Sequence, residues 1–188
     1  PWVLQTGARL DQTGGLAFAD ILFPPRPGGV QDSAGALIED SELEDLFVKR
    51  WGLGAARART VGPRAGNNVV TRLSVNFEHE NRRTPTTDWQ TLSSLSTTYT
   101  WVRRNVNNVI EPRSGQILRL EGTVGATGAS IDDAFIRGQG RVQQYIPIGS
   151  RDVLILRGDL GYVQAESIAA VPTKFLFRTG GTTTVRGY

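Results

Sequence analysis

The chemistry on offer in this sequence is that of the guanidinium group. Arg186 stands between Val185 and Gly187-Tyr188, downstream of Gly180-Gly181 and three threonines. A guanidinium presents a rigid five-donor fork that fits a carboxylate. Gly187 removes bulk beside it, Tyr188 supplies flat contact area, and Gly180-Gly181 can take the backbone angles of a sharp reversal. The pattern predicts a segment that packs closely against a wall. A hairpin end with a surface arginine fits these four residues equally well, because short motifs recur by chance.

Other chemistry is sparse. His79 is the one histidine and cysteine is absent, so there is no thiol and no disulfide framework. His79 shares parity with Phe77 near a polar stretch and reads as a wall residue at a rim. Asp132-Asp133 falls in a connection without metal-ligand spacing around it. No Gly-rich phosphate loop links a strand to a helix. Arg119 with Glu121, and Arg157 with Asp159, could relay charge, but a lumen lined with ion pairs accounts for them more simply. The sequence therefore offers no catalytic residue, no metal ligand set and no cofactor site.

The formal charge is +3, and of 21 basic residues only Lys49 and Lys174 are lysines. A nucleic-acid binder gathers its basic residues on one face. Here the arginines are scattered, mostly at alternate positions near Asp, Glu and Gln, which argues against a nucleic-acid partner. Apolar residues make up 39% of the chain and glycine occurs 22 times, a balance that favours strands and turns. The start at Pro1, the absence of methionine and the motif at the end read as a piece of something larger.

Period-two alternation defines the elements that must position these groups. Residues 1–11 form a strand, with Trp2, Leu4, Thr6, Ala8 and Leu10 on one face. Residues 12–45 read as a long loop, with room for a short strand at 16–23, because the run Pro24 to Gly29 cannot sit inside a ladder. The acidic run Glu39 to Asp45 fits either a helical turn or the climb into the next strand. Further strands are expected at 46–60, 68–80, 89–103, 116–127, 133–146 and 153–164. Pro112 and Gly115 mark a turn. On the last three strands Leu118, Leu120, Val124, Leu154, Leu156 and Leu160 share one face. Arg119, Glu121, Arg137, Gln139, Arg141, Arg157 and Asp159 share the other.

About seven antiparallel strands result, mostly 11–15 residues long. Soluble strands average about 5–6 residues. Trp89 and Trp101 share parity and lie roughly 40 Å apart along a strand, or roughly 30 Å along the normal at a barrel tilt. An aromatic at each end of such a span is the girdle pattern of a transmembrane barrel. Tyr99 and Trp101 are then expected at one rim, Trp89 and Tyr162 at the other. No apolar run approaches the ~20 residues of a spanning helix, which leaves a barrel open. Two core tryptophans of a soluble sandwich remain the alternative.

The pieces resemble a family. Val153-Leu-Ile-Leu-Arg-Gly-Asp-Leu-Gly-Tyr162, a variable loop, Phe175-Leu-Phe-Arg-Thr-Gly-Gly181 and Val185-Arg-Gly-Tyr188 follow in an order that resembles the outer-membrane assembly superfamily containing BamA and TamA. There Gly-Gly-x-x-x-Val-Arg-Gly-Phe/Tyr lies in the sixth extracellular loop. Glu111-Pro-Arg-Ser-Gly-Gln116 looks like the family's periplasmic turn, carrying Pro112 and Gly115, and Tyr145-Ile-Pro-Ile148 like a strand end. Residues 100–188 carry the resemblance; residues 1–99 match in strand rhythm, nearest to TamA, and the loop at 12–45 is longer than the family suggests.

The resemblance implies an all-β, 16-stranded transmembrane barrel in the Gram-negative outer membrane, preceded by POTRA domains. The chain would supply about seven strands and most of the sixth loop, as a partial surface-antigen-like barrel domain. The POTRA domains and closing strands would lie outside it. The implied function is assembly and insertion of other outer-membrane proteins, such as autotransporters, without enzymatic activity. The implied partners are outer-membrane lipid, client outer-membrane proteins and an inner-membrane-anchored protein. Arg186 would engage a wall carboxylate from strands beyond this chain. The rivals are a two-partner secretion transporter of the same superfamily, a soluble β-sandwich binding module and a passive porin.

Overall fold

The computed structural model describes residues 1–11, 14–43, 46–128, 133–149, 151–167 and 171–176. They form one antiparallel sheet of nine strands in sequence order: β1 (Val3–Asp11), β2 (Gly14–Leu22), β3 (Val30–Leu43), β4 (Leu46–Arg64), β5 (Asn67–Arg83), β6 (Gln90–Val106), β7 (Gly115–Thr127), β8 (Asp133–Ile148) and β9 (Asp152–Ala165). The longest, β4, has 19 residues, and β5 and β6 have 17 each. Strands of that length outrun what a soluble sandwich uses.

The expected seven strands are thus nine. Residues 12–45, expected as a long loop, hold β2 and β3 paired over nine positions from Gly14↔Ser41 to Leu22↔Ser33. The reason is a lack of contrast between faces. β2 sets Leu16, Phe18, Asp20 and Leu22 on one side and Ala17, Ala19 and Ile21 on the other, so one charge is all that sets the two sides apart. β3 places carboxylates on both sides, with Asp32 and Asp40 opposite in parity to Glu39. A period-two signal requires one face to differ from the other. The proline run does mark a turn: Arg26 bridges back to Val30, and Gly28 and Gly29 take φ of 82° and 74°. The acidic run from Glu39 to Leu43 is the end of β3, not a helical turn; Glu44 and Asp45 lie outside the described residues.

Registers fix two faces across all nine strands, since each cross-strand pair points the same way. One face carries Trp51, Leu53, Leu73, Val75, Phe77, Leu95, Tyr99, Leu120, Val124, Ile136, Leu154, Leu156, Leu160 and Tyr162. Much of it is bare: Leu160 is 82% exposed and Val124 57%. An apolar surface of that extent is untenable in water and suits hydrocarbon. The opposite, polar face carries Arg50, Glu78, Glu80, Arg82, Ser94, Ser96, Thr98, Glu121 and Thr123. Thr98 and Thr123 hydrogen-bond across it at 2.9 Å.

The sheet has two ends. The turn end carries connections 23–29, 65–66, 107–114 and 149–151; the other carries 12–13, 44–45, 84–89 and 128–132. The expected aromatic rims need one correction. Tyr99 pairs with Gly122, Gly122 with Gly138, and Gly138 with Tyr162, so the two tyrosines share one cross-strand row. Across three strand spacings at a barrel tilt, such a row climbs only about 10 Å. The tyrosines therefore do not mark opposite rims.

Candidate functional site

The polar face is partly covered by the chain itself. After β9 the strand pattern ends, and residues 171–176 lie on the polar face at the end opposite the turn end. Val171 is fully buried, Pro172 nearly so, and Thr173–Phe175 make a single 3-10 turn. We refer to 171–176 as the stem. The turn closes with Phe175 N donating to Pro172 O at 2.9 Å. Phe175 packs on Phe135 of β8, with ring centroids 5.1 Å apart, and Val171, Val163, Ala165 and Leu176 complete a small apolar cluster. Phe135 finds room because residue 125, facing it on β7, is glycine: a Cβ there would stand 2.5 Å from the ring.

From this cluster the stem reaches β5, four strands from β9, or about 19 Å across the sheet. Alternation on β5 points Glu78, Glu80 and Arg82 to the same face. Glu80, 2% exposed, accepts from the Thr173 hydroxyl at 2.6 Å and from the Thr173 backbone N–H at 3.2 Å. Arg82 lies 3.5 Å from the same carboxylate and donates to the Val171 carbonyl at 3.0 Å. Lys174 donates to Glu78 at 2.5 Å and sits over the Phe175 ring at 4.4 Å. Beside this group Arg50 pairs with Glu39 at 2.6 Å.

Every charged member of the dock thus has a hydrogen-bonded partner, the condition under which buried charge is tolerated. Burial pulls the Lys174 ammonium below its ordinary value, against the attraction of Glu78 and Glu80. The arrangement holds a segment of chain against a wall.

The seven residues expected to line a lumen share one face, and hydrogen bonds join them in two clusters. Glu121 receives Arg119 at 2.7 Å and Arg137 at 2.6 Å, and Arg137 also donates to Gln139 at 2.6 Å. Asp159 receives Arg157 at 2.8 Å and also Arg141. Pro112 and Gly115 lie at the turn end. Gly115 takes φ of 109°, and a Cβ there would overlap the Asn105 carbonyl oxygen, which leaves no space for a side chain. The turn is organised by residues the pattern did not single out. The Asn107 side-chain oxygen accepts from Arg113 and Ser114 N–H, and that of Asn108 from Ile110 and Glu111 N–H. Asn108 accepting from the N–H two residues on is an Asx turn, whereas Asn107 ties the loop's far end, and the Asn107-Asn108 pair was the available signal.

His79 lies on the apolar face, its ring 5.7 Å from Trp51 and its Nδ1 3.0 Å from the Ser93 hydroxyl. It meets no other ligand type. Asp133 opens β8 opposite Thr127; Asp132 lies outside the described residues. Among the described residues no three His, Cys, Asp or Glu side chains are grouped to hold a metal, and no helix is long and apolar enough to cross a membrane. Gly180, Gly181, Val185, Arg186, Gly187 and Tyr188 also lie outside the described residues.

The sequence reading missed the dock itself. Parity puts Glu78 and Glu80 on the polar face, but their partners lie 96 and 93 residues away, and no local pattern fixes such contacts.

A long-stranded antiparallel sheet, bare and apolar on one face, charged on the other and with a chain segment docked on the charged face, is a section of an outer-membrane β-barrel. The chain belongs to the Omp85 superfamily: the family pattern described as the Omp85 superfamily domain matches residues 50–188. Among solved structures it is similar to BamA from Haemophilus ducreyi lacking POTRA domains 1–3. The match has a TM-score of 0.77 at 18% identity and covers all of this chain but 40% of that one. At that identity the likeness establishes the fold, a section of a transmembrane barrel. The family places the protein in the outer membrane of Gram-negative bacteria.

Proposed function

We propose that this chain is a section of a barrel that folds and inserts other outer-membrane proteins. Autotransporters are the client class, and TamA is the nearest subfamily by strand rhythm. The polar face, with Arg119, Glu121, Arg137, Gln139, Arg141, Arg157 and Asp159, lines a water-filled lumen. The apolar face, with Leu118, Leu120, Val124, Leu154, Leu156 and Leu160, meets lipid. Pro112 and Gly115 turn on the periplasmic side. POTRA domains and closing strands belong to the longer protein, as does contact with an inner-membrane-anchored partner.

The observation that carries this reading is the stem held on Glu78, Glu80 and Arg82. A loop that begins by turning onto the polar face is directed into the lumen instead of standing free above it. Nine residues lie between Leu176 and Arg186, and the ten steps along the chain can span up to about 35 Å. Arg186 in this reading engages a wall carboxylate beyond this chain, where its planar fork offsets the cost of leaving water.

The test is client insertion by full-length protein carrying Arg186→Ala, at a temperature where its own barrel stays folded. We expect insertion to fall sharply, and Arg186→Lys to rescue it only in part, because an ammonium lacks the planar fork. Wild-type insertion by Arg186→Ala would reduce the loop to a structural plug.

A further inference from the structure

We propose that the apolar face carries, at its turn end, a binding site for the phosphate of a membrane phospholipid, formed by Arg59 and Arg103 beside Trp101. The proposal rests on the reading of that face as lipid-facing.

The register sets the geometry. Arg59 on β4 pairs with Thr71 on β5, which pairs with Trp101 on β6. In the next row toward the turn end, Val61 pairs with Val69 and Val69 with Arg103. Arg59 and Arg103 therefore flank β5 from either side, two strand spacings and one row apart, or about 12 Å. The residues between them, Thr71 and Val69, are short. Two long side chains can close that gap on one anion.

Both arginines are exposed, and among the described residues neither forms an ion pair. The neighbouring arginines differ. Arg57, one row further from the turn end, grips Asp32 at 2.7 and 3.1 Å, and Arg26 holds the same carboxylate at 2.8 Å. The other carboxylates of this end, Glu111 in the turn between β6 and β7 and Asp152 at the start of β9, belong to other strands and connections. The surroundings of Arg59 and Arg103 are thus cationic and without an internal counter-charge on their own strands.

A guanidinium on the lipid face costs about 2–4 kcal/mol at mid-bilayer and little at the interface. Arg59 and Arg103 belong at headgroup depth, and Trp101 beside them is the residue type that anchors there. The anionic group available at that depth is the lipid phosphate. A guanidinium binds phosphate through paired N–H donors, with geometry an ammonium cannot match. At the end opposite the turn end the same face looks different. Arg83 there stacks between Phe47 and Trp89, and Lys49 is paired with Asp40 at 3.3 Å. Its cations already have partners.

The experiment uses full-length protein, delipidated in neutral detergent and titrated with phosphatidylglycerol, with bound lipid counted by native mass spectrometry. We expect one tightly held lipid. Arg59→Gln and Arg103→Gln should each weaken it about fivefold, and together about twenty-fivefold. Arg59→Lys with Arg103→Lys, which keeps the charge, should fall between. Unchanged retention by the double Gln variant overturns the site, as does displacement of the lipid by inorganic phosphate at equal concentration. Quenching of Trp101 by headgroup-proximal brominated lipid separates the two levels of failure. Without quenching the lipid-facing reading fails; with quenching and unchanged retention only the site does.

Discussion

Two acid–base groups lie on the same polar face and have opposite surroundings. On β7 to β9, Glu121 and Asp159 are each held by two arginines, and Arg119, Arg141 and Arg157 remain more than a third open to water. On β5, Glu78 and Glu80 are bound by Lys174, Thr173 and Arg82, and the stem seals them so that Glu80 is 2% exposed. The residue types are nearly the same. What differs is whether a segment of chain has come back to exclude water. Exposed pairs contribute about 0–1 kcal/mol, because water screens them and solvates either partner left alone. A covered carboxylate that loses its donors, or donors that lose their carboxylate, must bear desolvation unaided. The same chemistry therefore serves as a hydrated lining in one place and a latch in the other.

The largest expected effect follows directly. Glu80→Ala leaves the Thr173 N–H and hydroxyl, and part of the Arg82 fork, without their acceptor in a buried site. Docking of the stem should weaken by roughly 3–5 kcal/mol. In full-length protein this would appear as rapid hydrogen exchange across 171–176 and new protease sensitivity there. Wild-type protection in that variant would mean that the Phe135, Phe175 and Val171 cluster holds the stem alone.

Asp159→Asn is the matching change in the open group. It removes the charge that Arg141 and Arg157 share but leaves all three groups in contact with water. The expected loss of stability is at most about 1 kcal/mol, with no change in stem protection. A loss as large as that of Glu80→Ala, measured by thermal unfolding in detergent, would erase the distinction between the two groups.

The comparison also separates what the sequence makes legible from what it hides. On β5 to β9, arginines and carboxylates alternate with leucine and valine, so parity alone assigns Arg119, Glu121, Arg137 and Asp159 to one face. β2 and β3 stay hidden because Ala17, Ala19, Leu16 and Phe18 look alike from either side, while Asp40 and Glu39 put charge on both. The latch is hidden for a different reason. Period two places Glu78, Glu80 and Arg82 together but cannot say what covers them, because Thr173 and Lys174 belong to a connection with no period. Glu78 and Glu80 face Ser94 and Leu92 on β6, neither of them a cation, which hints at a distant partner. Arg59 shows a third case: by parity it falls beside Trp51 and Leu53, which blurs the outward face of its strand. The register instead sets it opposite Thr71 and in the same row as Trp101, at the turn end.

The smallest expected effect tests the latch by its sign. An ordinary reading of the Lys174–Glu78 pair holds that alkaline pH, by discharging Lys174, frees the stem. Burial reverses this. It lowers the docked Lys174 below the ordinary value of 10.5, with Arg50 adding to the shift and Glu78 and Glu80 opposing it. The released stem would then bind more protons than the docked one at any pH between the lowered value and 10.5. Stability rises with pH wherever the open state holds the extra proton. Docking should therefore tighten as pH rises through that window, and be insensitive to Lys174 below it. A spin label at Ser167, read in full-length protein from neutral to alkaline pH, would report the change as slower motion. Lys174→Met removes the titrating group and should abolish the slope while leaving Thr173 on Glu80. Faster motion at high pH in the wild type, absent in Lys174→Met, would show that the pair's attraction outweighs its burial. The latch would then be an ordinary ion pair, like those on β7 to β9.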